Sequence, residues 1–142
     1  MINLGKEMRM AYLEWNDTFS VEIKQIDEQH KKLFSLFNDL HESMQKGMGG
    51  KVISRILKEL RDYTSYHFAA EESWMKMLNY PGLAEHTQEH QEAIKQVNKF
   101  IIEYARGSKA IPYEVLKFLS NWLQNHILQI DREYTPYLKG KV

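Results

Sequence analysis

Apolar residues recur at three- and four-residue steps along four stretches of the chain, which is the spacing of one face of an α-helix. The stretches cover about residues 27–45, 51–78, 83–106 and 112–131, and segments containing Gly or Pro separate them. Asp27 is expected to cap the first helix and Pro112 to open the fourth, because these residue types favour those positions. No stretch shows the alternation of a half-buried strand.

Four amphipathic helices joined by short loops predict an all-α fold, an antiparallel up-down-up-down four-helix bundle. The length of 142 residues suits a single domain that spans residues 1–142. Residues 1–26 are expected to form an N-terminal arm. Its apolar side chains should pack across the first helix; they are Trp15, Phe19 and Val21.

The periodicity also predicts which residues of each helix face the core. The first helix should bury Leu33, Phe34, Phe37, Leu40 and Met44. The second should bury Ile53, Ile56, Leu57, Leu60, Tyr63, His67, Glu71, Trp74 and Leu78. The third should bury His86, His90, Ile94, Val97, Ile101 and Tyr104. The fourth should bury Val115, Leu119, Trp122, Leu123, His126, Ile127 and Ile130.

Polar residues interrupt these stripes where a core is expected. Two of the helices carry a pair of them four residues apart, which places both side chains on one face. In an antiparallel bundle the start of the first and third helices meets the end of the second and fourth, so these polar groups lie within about two turns of one level. They are His30, His67, Glu71, His86, His90, His126 and Asp131.

Burial of five imidazoles and two carboxylates without partners is strongly unfavourable, and a metal site removes that penalty. Seven ligands are too many for one tetrahedral zinc ion. They suit two metal ions that share bridging carboxylates. The ligand types alone are compatible with iron, manganese or zinc.

The spacing of His126 and Asp131 does not fit a regular helix. Residues five apart differ by about 140° around an ideal α-helix. Both side chains can therefore face inward only if the helix end unwinds or bulges, or if Asp131 reaches around the helix. His41, three turns from His30 on nearly the same side, belongs to no motif and is expected not to bind metal.

Composition and charge narrow the possible functions. Lys+Arg and Asp+Glu both total 19, so the formal net charge is zero, which argues against a nucleic-acid binder. The chain has no cysteine, which excludes disulfides, thiolate nucleophiles and iron–sulfur clusters. Residues 1–15 lack the apolar stretch of a signal peptide, and no apolar run approaches the length of a membrane span. The cytoplasm is the expected location.

The motifs resemble those of the hemerythrin family in order, spacing and intervening length, over nearly the whole chain. The first is the segment from Val21 to Leu33, VEIKQIDEQHKKL. The others are His67-Phe-Ala-Ala-Glu71, His86-Thr-Gln-Glu-His90 and the segment WLQNHILQID that ends at Asp131. A single HxxxH string is weak evidence, whereas this combination across four helices is specific.

The resemblance implies a reversible O2-binding protein, not an enzyme, with two iron ions bridged by two carboxylates and an oxo or hydroxo group (Fe–O–Fe). Three histidines would hold one iron ion: His86, His90 and His126. Two would hold the other: His30 and His67. The bridging carboxylates would be Glu71 and Asp131. O2 would bind at an open position of the two-histidine iron, in a pocket lined by Leu33, Trp122, Leu123 and Ile127.

Other functions remain open at this point. On the same centre, the protein could sense O2 or redox state, or handle iron, nitric oxide or peroxide. The string from His86 to His90 matches the H-x-x-E-H motif of inverted zinc proteases, but it leaves the other histidines unexplained. A ferritin-like oxidase would use Glu-x-x-His pairs, and no Glu lies three residues before any His. An O2-consuming enzyme is a conceivable partner, and a monomer is compatible with the sequence.

Overall fold

A computed structural model describes residues 13–142, and it contains no β-strand in that range. The four long helices are α1 (Lys24–Gln45), α2 (Gly50–Met77), α3 (Leu83–Ala105) and α4 (Ile111–Asn125). Beyond α4 the chain passes through a π-helical turn (His126–Ile130) and a 3-10 turn (Asp131–Tyr134) into the short helix α5 (Thr135–Leu138).

Each long helix packs against its neighbours, α1 against α2 and α4, and α3 against α2 and α4. The connections at residues 46–49, 78–82 and 106–110 are short, so consecutive helices run antiparallel. Gly47 and Gly107 adopt positive φ angles of 64° and 102°, at the ends of α1 and α3, where glycine carries no steric penalty. The predicted all-α four-helix bundle is confirmed.

The first helix begins earlier than the pattern predicted. It starts at Lys24, and the residue that caps it is Ile23, not Asp27. Asp27 lies inside the helix, and its carboxylate accepts hydrogen bonds from the Val21 N–H at 2.9 Å and the Ser20 hydroxyl at 2.6 Å. Asp27 therefore binds the incoming chain to the first turn of α1 instead of preceding it.

The N-terminal arm was predicted to span about residues 1–26, and residues 1–12 lie outside the described part. From Leu13 onward the arm crosses α1 as expected. Asn38 on α1 accepts from the backbone N–H of Leu13 at 2.9 Å and donates to its carbonyl at 2.8 Å. The rings of Trp15 and Phe19 meet the edge of Phe34 with centroids 5.4 and 5.0 Å apart. Val21, the third apolar residue of the arm, is also buried.

The inward face of α3 is rotated by about one residue from the prediction. Ile94 and Ile101 are only partly buried, whereas Ala93, Val97 and Phe100 are buried. From His86 through His90 to Ala93, Val97 and Phe100, the buried positions are separated alternately by four and three residues. This spacing keeps one narrow face of α3 towards the core.

The same kind of correction applies to single positions elsewhere. Thr64 and Met75 are buried on α2, while Tyr63, Trp74 and Leu78 lie at the edge of the core. Tyr104, Trp122, Ile130 and Met44 are likewise only partly buried. The apolar pattern thus predicted the general side that each helix buries, but it included positions at the edge of the core and missed buried ones such as Thr64 and Met75.

None of the helices in residues 13–142 combines the length and the apolar character that a bilayer-spanning helix needs.

Candidate metal centre

The seven residues singled out by the sequence lie together at one end of the bundle. Every one of their side chains is buried, with at most 4% of its surface exposed. They come from the N-terminal halves of α1 and α3, the C-terminal half of α2, and the π-helical and 3-10 turns that follow α4. The antiparallel arrangement therefore produces the common level that the spacing predicted.

The ligand atoms form two overlapping groups, and within each group these atoms lie within 4.8 Å of one another. Both carboxylates, Glu71 and Asp131, belong to both groups. One group adds three imidazoles, those of His86, His90 and His126. The other adds two, those of His30 and His67. Two carboxylates shared between two sets of histidines can bridge a pair of metal ions.

Asp131 divides its two oxygens between the groups. Its Oδ1 lies 2.9 Å from His86 Nε2 and 3.0 Å from His126 Nε2, while its Oδ2 lies 3.1 Å from His30 Nε2. Each carboxylate oxygen thus faces a different set of imidazoles. A carboxylate in this position can bridge two cations.

Glu71 lies between the same two sets. Its Oε1 is 3.0 Å from His67 Nε2 and 3.4 Å from His90 Nε2, and its Oε2 is 3.8 Å from His30 Nε2. The i, i+4 relation to His67 on α2 brings the two side chains to one face of that helix.

A π-helical turn solves the spacing problem at the end of α4. The Asp131 N–H bonds to the carbonyl of His126, five residues earlier, in place of the four-residue bond of an α-helix. The wider turn brings both side chains to the same side of the chain. Of the alternatives that the sequence left open, the helix end adopts a bulge, which places the imidazole and the carboxylate 3.0 Å apart.

Three polar residues that the sequence analysis missed hold the outer nitrogens of the imidazoles. With Nε2 facing the centre, the His67 Nδ1–H donates to Gln29 Oε1 at 2.6 Å. Each missed residue is one position away from a ligand in the sequence; they are Gln29 next to His30, Glu72 next to Glu71 and Glu89 next to His90. This adjacency could have identified them from the sequence. A residue next to a buried ligand on a helix lies at the edge of the buried face, where its side chain can reach another ligand's outer nitrogen.

On the three-histidine side the outer partners are carboxylates. The His90 Nδ1–H donates to Glu72 Oε2 at 2.9 Å, and the His126 Nδ1–H donates to Glu89 Oε2 at 3.1 Å. Such bonds fix the ring orientation and the tautomer, so that the lone pair lies on Nε2.

Aromatic rings pack against the three imidazoles of the same group. Phe68 stacks on His90 with centroids 3.7 Å apart and planes within 3°. Trp122 stacks on His126 at 4.2 Å and 12°. These rings restrict rotation of the imidazoles and shield them from water.

Tyr134 is a further residue of the centre that the sequence analysis overlooked, and 0% of its surface is exposed. Its hydroxyl donates to Glu71 Oε2, and its ring stacks on His86 at 5.5 Å and 18°. Burial and the nearby charges of Asp131 and Glu71 raise the pKa of Tyr134 well above its ordinary value, so the hydroxyl remains a donor. Its position three residues after Asp131, one 3-10 turn on, is the only trace it leaves in the sequence.

Replacement of Tyr134 by Phe should destabilise the metal-free protein by about 1.5–3 kcal/mol, the usual value of a hydrogen bond to a charged group. Glu71 Oε2 would lose its donor in a site without water access. Urea unfolding of the apoprotein measures the change. Tyr113→Phe is the matched control, since Tyr113 is 68% exposed and its variant should unfold like the wild type. Equal stability of the two variants would contradict the role of the hydroxyl.

The two buried carboxylates remain ionised in the metal-free protein. Burial raises the pKa of Glu71, and Asp131 raises it further, but His67 and His90 outweigh both and lower it. Burial likewise raises the pKa of Asp131, and the charge and hydrogen bond of His126 more than reverse this. The centre therefore offers two anionic oxygen ligands at neutral pH.

His126 predicts a pH dependence of the apoprotein. Burial lowers its pKa, but Asp131 and the other nearby carboxylates raise it to about 9. A raised pKa gives stability that is complete below the unfolded value of about 6.5 and is lost as pH rises to about 9. Urea unfolding between pH 6 and pH 9.5 should show this loss. A metal ion displaces the proton, so the His126 contribution should vanish in the metal-loaded protein; a persistent loss there would contradict it.

The arrangement of lone pairs indicates that a cation belongs in the centre. His90 and His126 both commit Nδ1–H to a carboxylate, and yet their Nε2 atoms lie 3.2 Å apart. Two lone pairs at that distance repel each other unless a proton or a cation lies between them. The raised pKa of His126 supplies the proton in the metal-free protein, and a metal ion would take its place. Within residues 13–142, several buried atoms of the centre also lack a hydrogen bond of acceptable geometry; they are His30 Nε2, Glu71 Oε1 and both oxygens of Asp131. Imidazole nitrogens and carboxylate oxygens are ligands that iron accepts.

Comparison with known proteins identifies the family. The model of the hemerythrin HHE cation-binding domain matches residues 21–138. The chain belongs to the hemerythrin family. A bacteriohemerythrin of Stenotrophomonas maltophilia is 37% identical over 134 residues, which cover 92% of this chain and 84% of the relative. A bacteriohemerythrin of Clostridium acetobutylicum is 34% identical over 124 residues, which cover 84% of this chain and 96% of the relative.

A solved structure agrees with this assignment. The crystal structure of a wild-type hemerythrin superimposes with a TM-score of 0.84 at 29% sequence identity, and covers 90% of this chain and 98% of that chain. The hemerythrin fold and the buried cluster of histidines and carboxylates together fit a di-iron site.

The residues predicted to line an O2 pocket fall into two sets in this hemerythrin bundle. Leu33, Leu123 and Ile127 are buried in the apolar core, with at most 3% exposure. Trp122 is only partly buried and stacks on His126, which belongs to the three-histidine group. Their pocket role stays a prediction, and Trp122 fits it less directly than the three aliphatic residues. His41, also buried, is absent from both groups of ligand atoms.

Proposed function

We propose that this protein binds O2 reversibly at a centre of two iron ions. The seven residues predicted from the sequence would be the ligands. One ion would be held by His86, His90 and His126, and the other by His30 and His67. Glu71 and Asp131 would bridge the two ions, together with an oxo or hydroxo group.

The unequal division of the histidines carries the proposal. One group offers three imidazoles and the other two, while both share the same pair of carboxylates. The two-histidine position therefore has one protein ligand fewer, which leaves room for an exogenous ligand. In catalytic and ligand-binding metal sites an open position serves this purpose, whereas structural sites are closed.

Two ferrous ions would supply the electrons that O2 accepts on binding and returns on release. The protein's own contribution is to hold the ions and keep water out. Leu33, Leu123 and Ile127, which are buried in the apolar core, would form the apolar wall of the O2 pocket and limit the entry of protons. Tyr134 holds its proton on the hydroxyl towards Glu71 and thereby stabilises the ionised carboxylate.

The visible absorption spectrum of protein loaded anaerobically with Fe(II), exposed to O2 and then purged with argon, tests the proposal. Coloured charge-transfer bands should appear with O2 and fade on purging, through repeated cycles. Bands that form once and persist would contradict reversible binding and favour sensing, or the handling of iron, nitric oxide or peroxide, on the same centre. No bands at all would contradict iron as the metal.

The roles of the protein beyond ligand binding follow from the same proposal. A protein that returns O2 unchanged is a carrier or store and not an enzyme. An O2-consuming enzyme is the partner that such a store would supply. Two other functions are disfavoured because five histidines converge on one centre. They are zinc-dependent proteolysis, suggested by the H-x-x-E-H string, and a ferritin-like oxidase, which would use Glu-x-x-His pairs. The cytoplasm stays the predicted location.

A further inference from the structure

The outer nitrogens of the proposed ligands have different partners on the two sides of the centre. On the three-histidine side, His90 donates to Glu72 at 2.9 Å and His126 donates to Glu89 at 3.1 Å. Both carboxylates reach the protein surface, where the side chains of Glu72 and Glu89 are 30% and 43% exposed. Each anionic oxygen therefore lies one imidazole ring away from the centre.

The two-histidine side has no carboxylate in the corresponding place. His67 donates to the neutral amide oxygen of Gln29 at 2.6 Å. The Nδ1 atom of His30 has no hydrogen-bond partner within residues 13–142, and neither has that of His86 on the three-histidine side. The two sides therefore differ in the partners of the other three imidazoles. The two positions thus differ in the number of histidines. They also differ in the charge of the side chains that accept from the outer nitrogens of these histidines.

We propose that Glu72 and Glu89 are positioning residues that bias the two metal ions of the centre, making the three-histidine ion the more tightly bound and the more easily oxidised. Gln29 correspondingly leaves the two-histidine ion the more electron-poor of the pair. The proposal rests on the proposed di-iron centre and adds to it an order in which the two positions fill and lose electrons.

The physical basis is the effect of an outer partner on ligand basicity. A carboxylate that accepts the Nδ1–H pulls the proton towards itself and increases the electron density on Nε2. A more basic Nε2 stabilises a ferric ion more than a ferrous ion, because the ferric charge is higher. The amide of Gln29 fixes the orientation of His67 in the same way but transfers no charge to it.

The first test uses cobalt and needs neither iron nor O2. Anaerobic titration of the apoprotein with Co(II), followed by visible absorption, should show two binding steps. In the Glu72→Gln/Glu89→Gln double variant, the first step should weaken about 10-fold or more, the usual effect of the loss of an outer partner. The second step should stay within about twofold of the wild type.

The second test measures the reduction potential of the iron-loaded protein by anaerobic spectroelectrochemistry. The first one-electron oxidation should move to higher potential in the double variant. The shift should be about 59 mV for each tenfold loss of preference for the ferric ion. Gln29→Glu should act in the opposite direction, with a tighter second cobalt step and a lower potential for the second oxidation.

Glu92→Gln is the matched control. Glu92 lines the same surface pocket as Glu89 and His126, but within residues 13–142 it is not among the carboxylates that accept from an imidazole. It should leave both cobalt steps and both potentials unchanged. An equal shift in this variant would overturn the proposal in favour of a general effect of surface charge, and unchanged cobalt steps and potentials in the double variant would also overturn it.

The outcomes separate this proposal from the function on which it rests. The wild type could bind O2 reversibly while the double variant shows unchanged cobalt-binding steps and reduction potentials. That result would contradict only the role of Glu72 and Glu89. Alternatively, the cobalt-binding steps and the reduction potentials could shift as expected in a protein that never releases O2. That result would contradict reversible O2 binding and support the bias between the two metal positions.

Discussion

His67→Ala should abolish reversible O2 binding and reduce the metal content from two ions per chain to one. His67 is one of only two imidazoles at the position expected to remain open, and its Nε2 lies 3.0 Å from the shared carboxylate of Glu71. With His30 as the sole remaining imidazole, that position has too few ligands to retain its ion. The three-histidine position keeps all its imidazoles. Metal analysis after anaerobic loading, together with the O2–argon cycle, measures both effects.

His41→Gln is the control for this prediction. His41 lies on α1 and is 5% exposed, so it is as buried as a ligand, but it is absent from both groups of ligand atoms. The variant should bind two metal ions and cycle with O2 like the wild type. Full metal content and reversible binding in His67→Ala would show that the two-histidine position has been assigned wrongly.

Removal of the metal ions should lower the thermal stability of the protein by a large amount. Without them, the charges of Glu71 and Asp131 repel each other in a buried site, and a proton on His126 must take the place of a cation between its Nε2 and that of His90, 3.2 Å away. Free metal at about 1,000 times its dissociation constant stabilises the folded state by about 4 kcal/mol per site. For a chain of this size, the two sites together contribute about 8 kcal/mol, which corresponds to a melting temperature higher by roughly 20–35 °C.

Differential scanning calorimetry of Fe(II)-loaded and chelator-treated protein under anaerobic conditions measures this difference. Glu71→Gln is the control, because removal of a shared carboxylate should weaken both positions and leave a small difference between the two preparations. If the wild type melts at the same temperature with and without two bound ions, the ions do not bind at the buried cluster.

The spacing of apolar and polar residues along the chain predicted the four-helix bundle. It also predicted that the seven site residues lie at one level of that bundle. Helical periodicity and short loops are local properties, and antiparallel connection then determines which helix ends meet. The His67–Glu71 and His86–His90 pairs follow from the four-residue repeat alone. The identity of the metal does not, since these ligand types accept several ions.

Other features depended on tertiary contacts that no local pattern encodes. Asp27 belongs inside α1 because it binds the backbone of Val21, a contact that the capping preference of aspartate does not distinguish. Tyr134 approaches Glu71 across 63 positions of sequence, and only the folded chain brings the two together.

The π-helical turn could be predicted in part from the sequence. The five-residue spacing of His126 and Asp131 showed that the helix had to depart from regular geometry if both side chains were to face inward. It did not show which departure would occur. The i to i+5 hydrogen bond is the one that the structure adopts.

The most direct test of the central claim is a crystal structure of the protein loaded anaerobically with Fe(II), with anomalous scattering measured at the iron edge. We expect two iron peaks within the buried cluster, one beside the three-histidine group and one beside His30 and His67, with Glu71 and Asp131 between them. A single peak, or a peak outside the cluster, would contradict a centre of two metal ions that share these carboxylates.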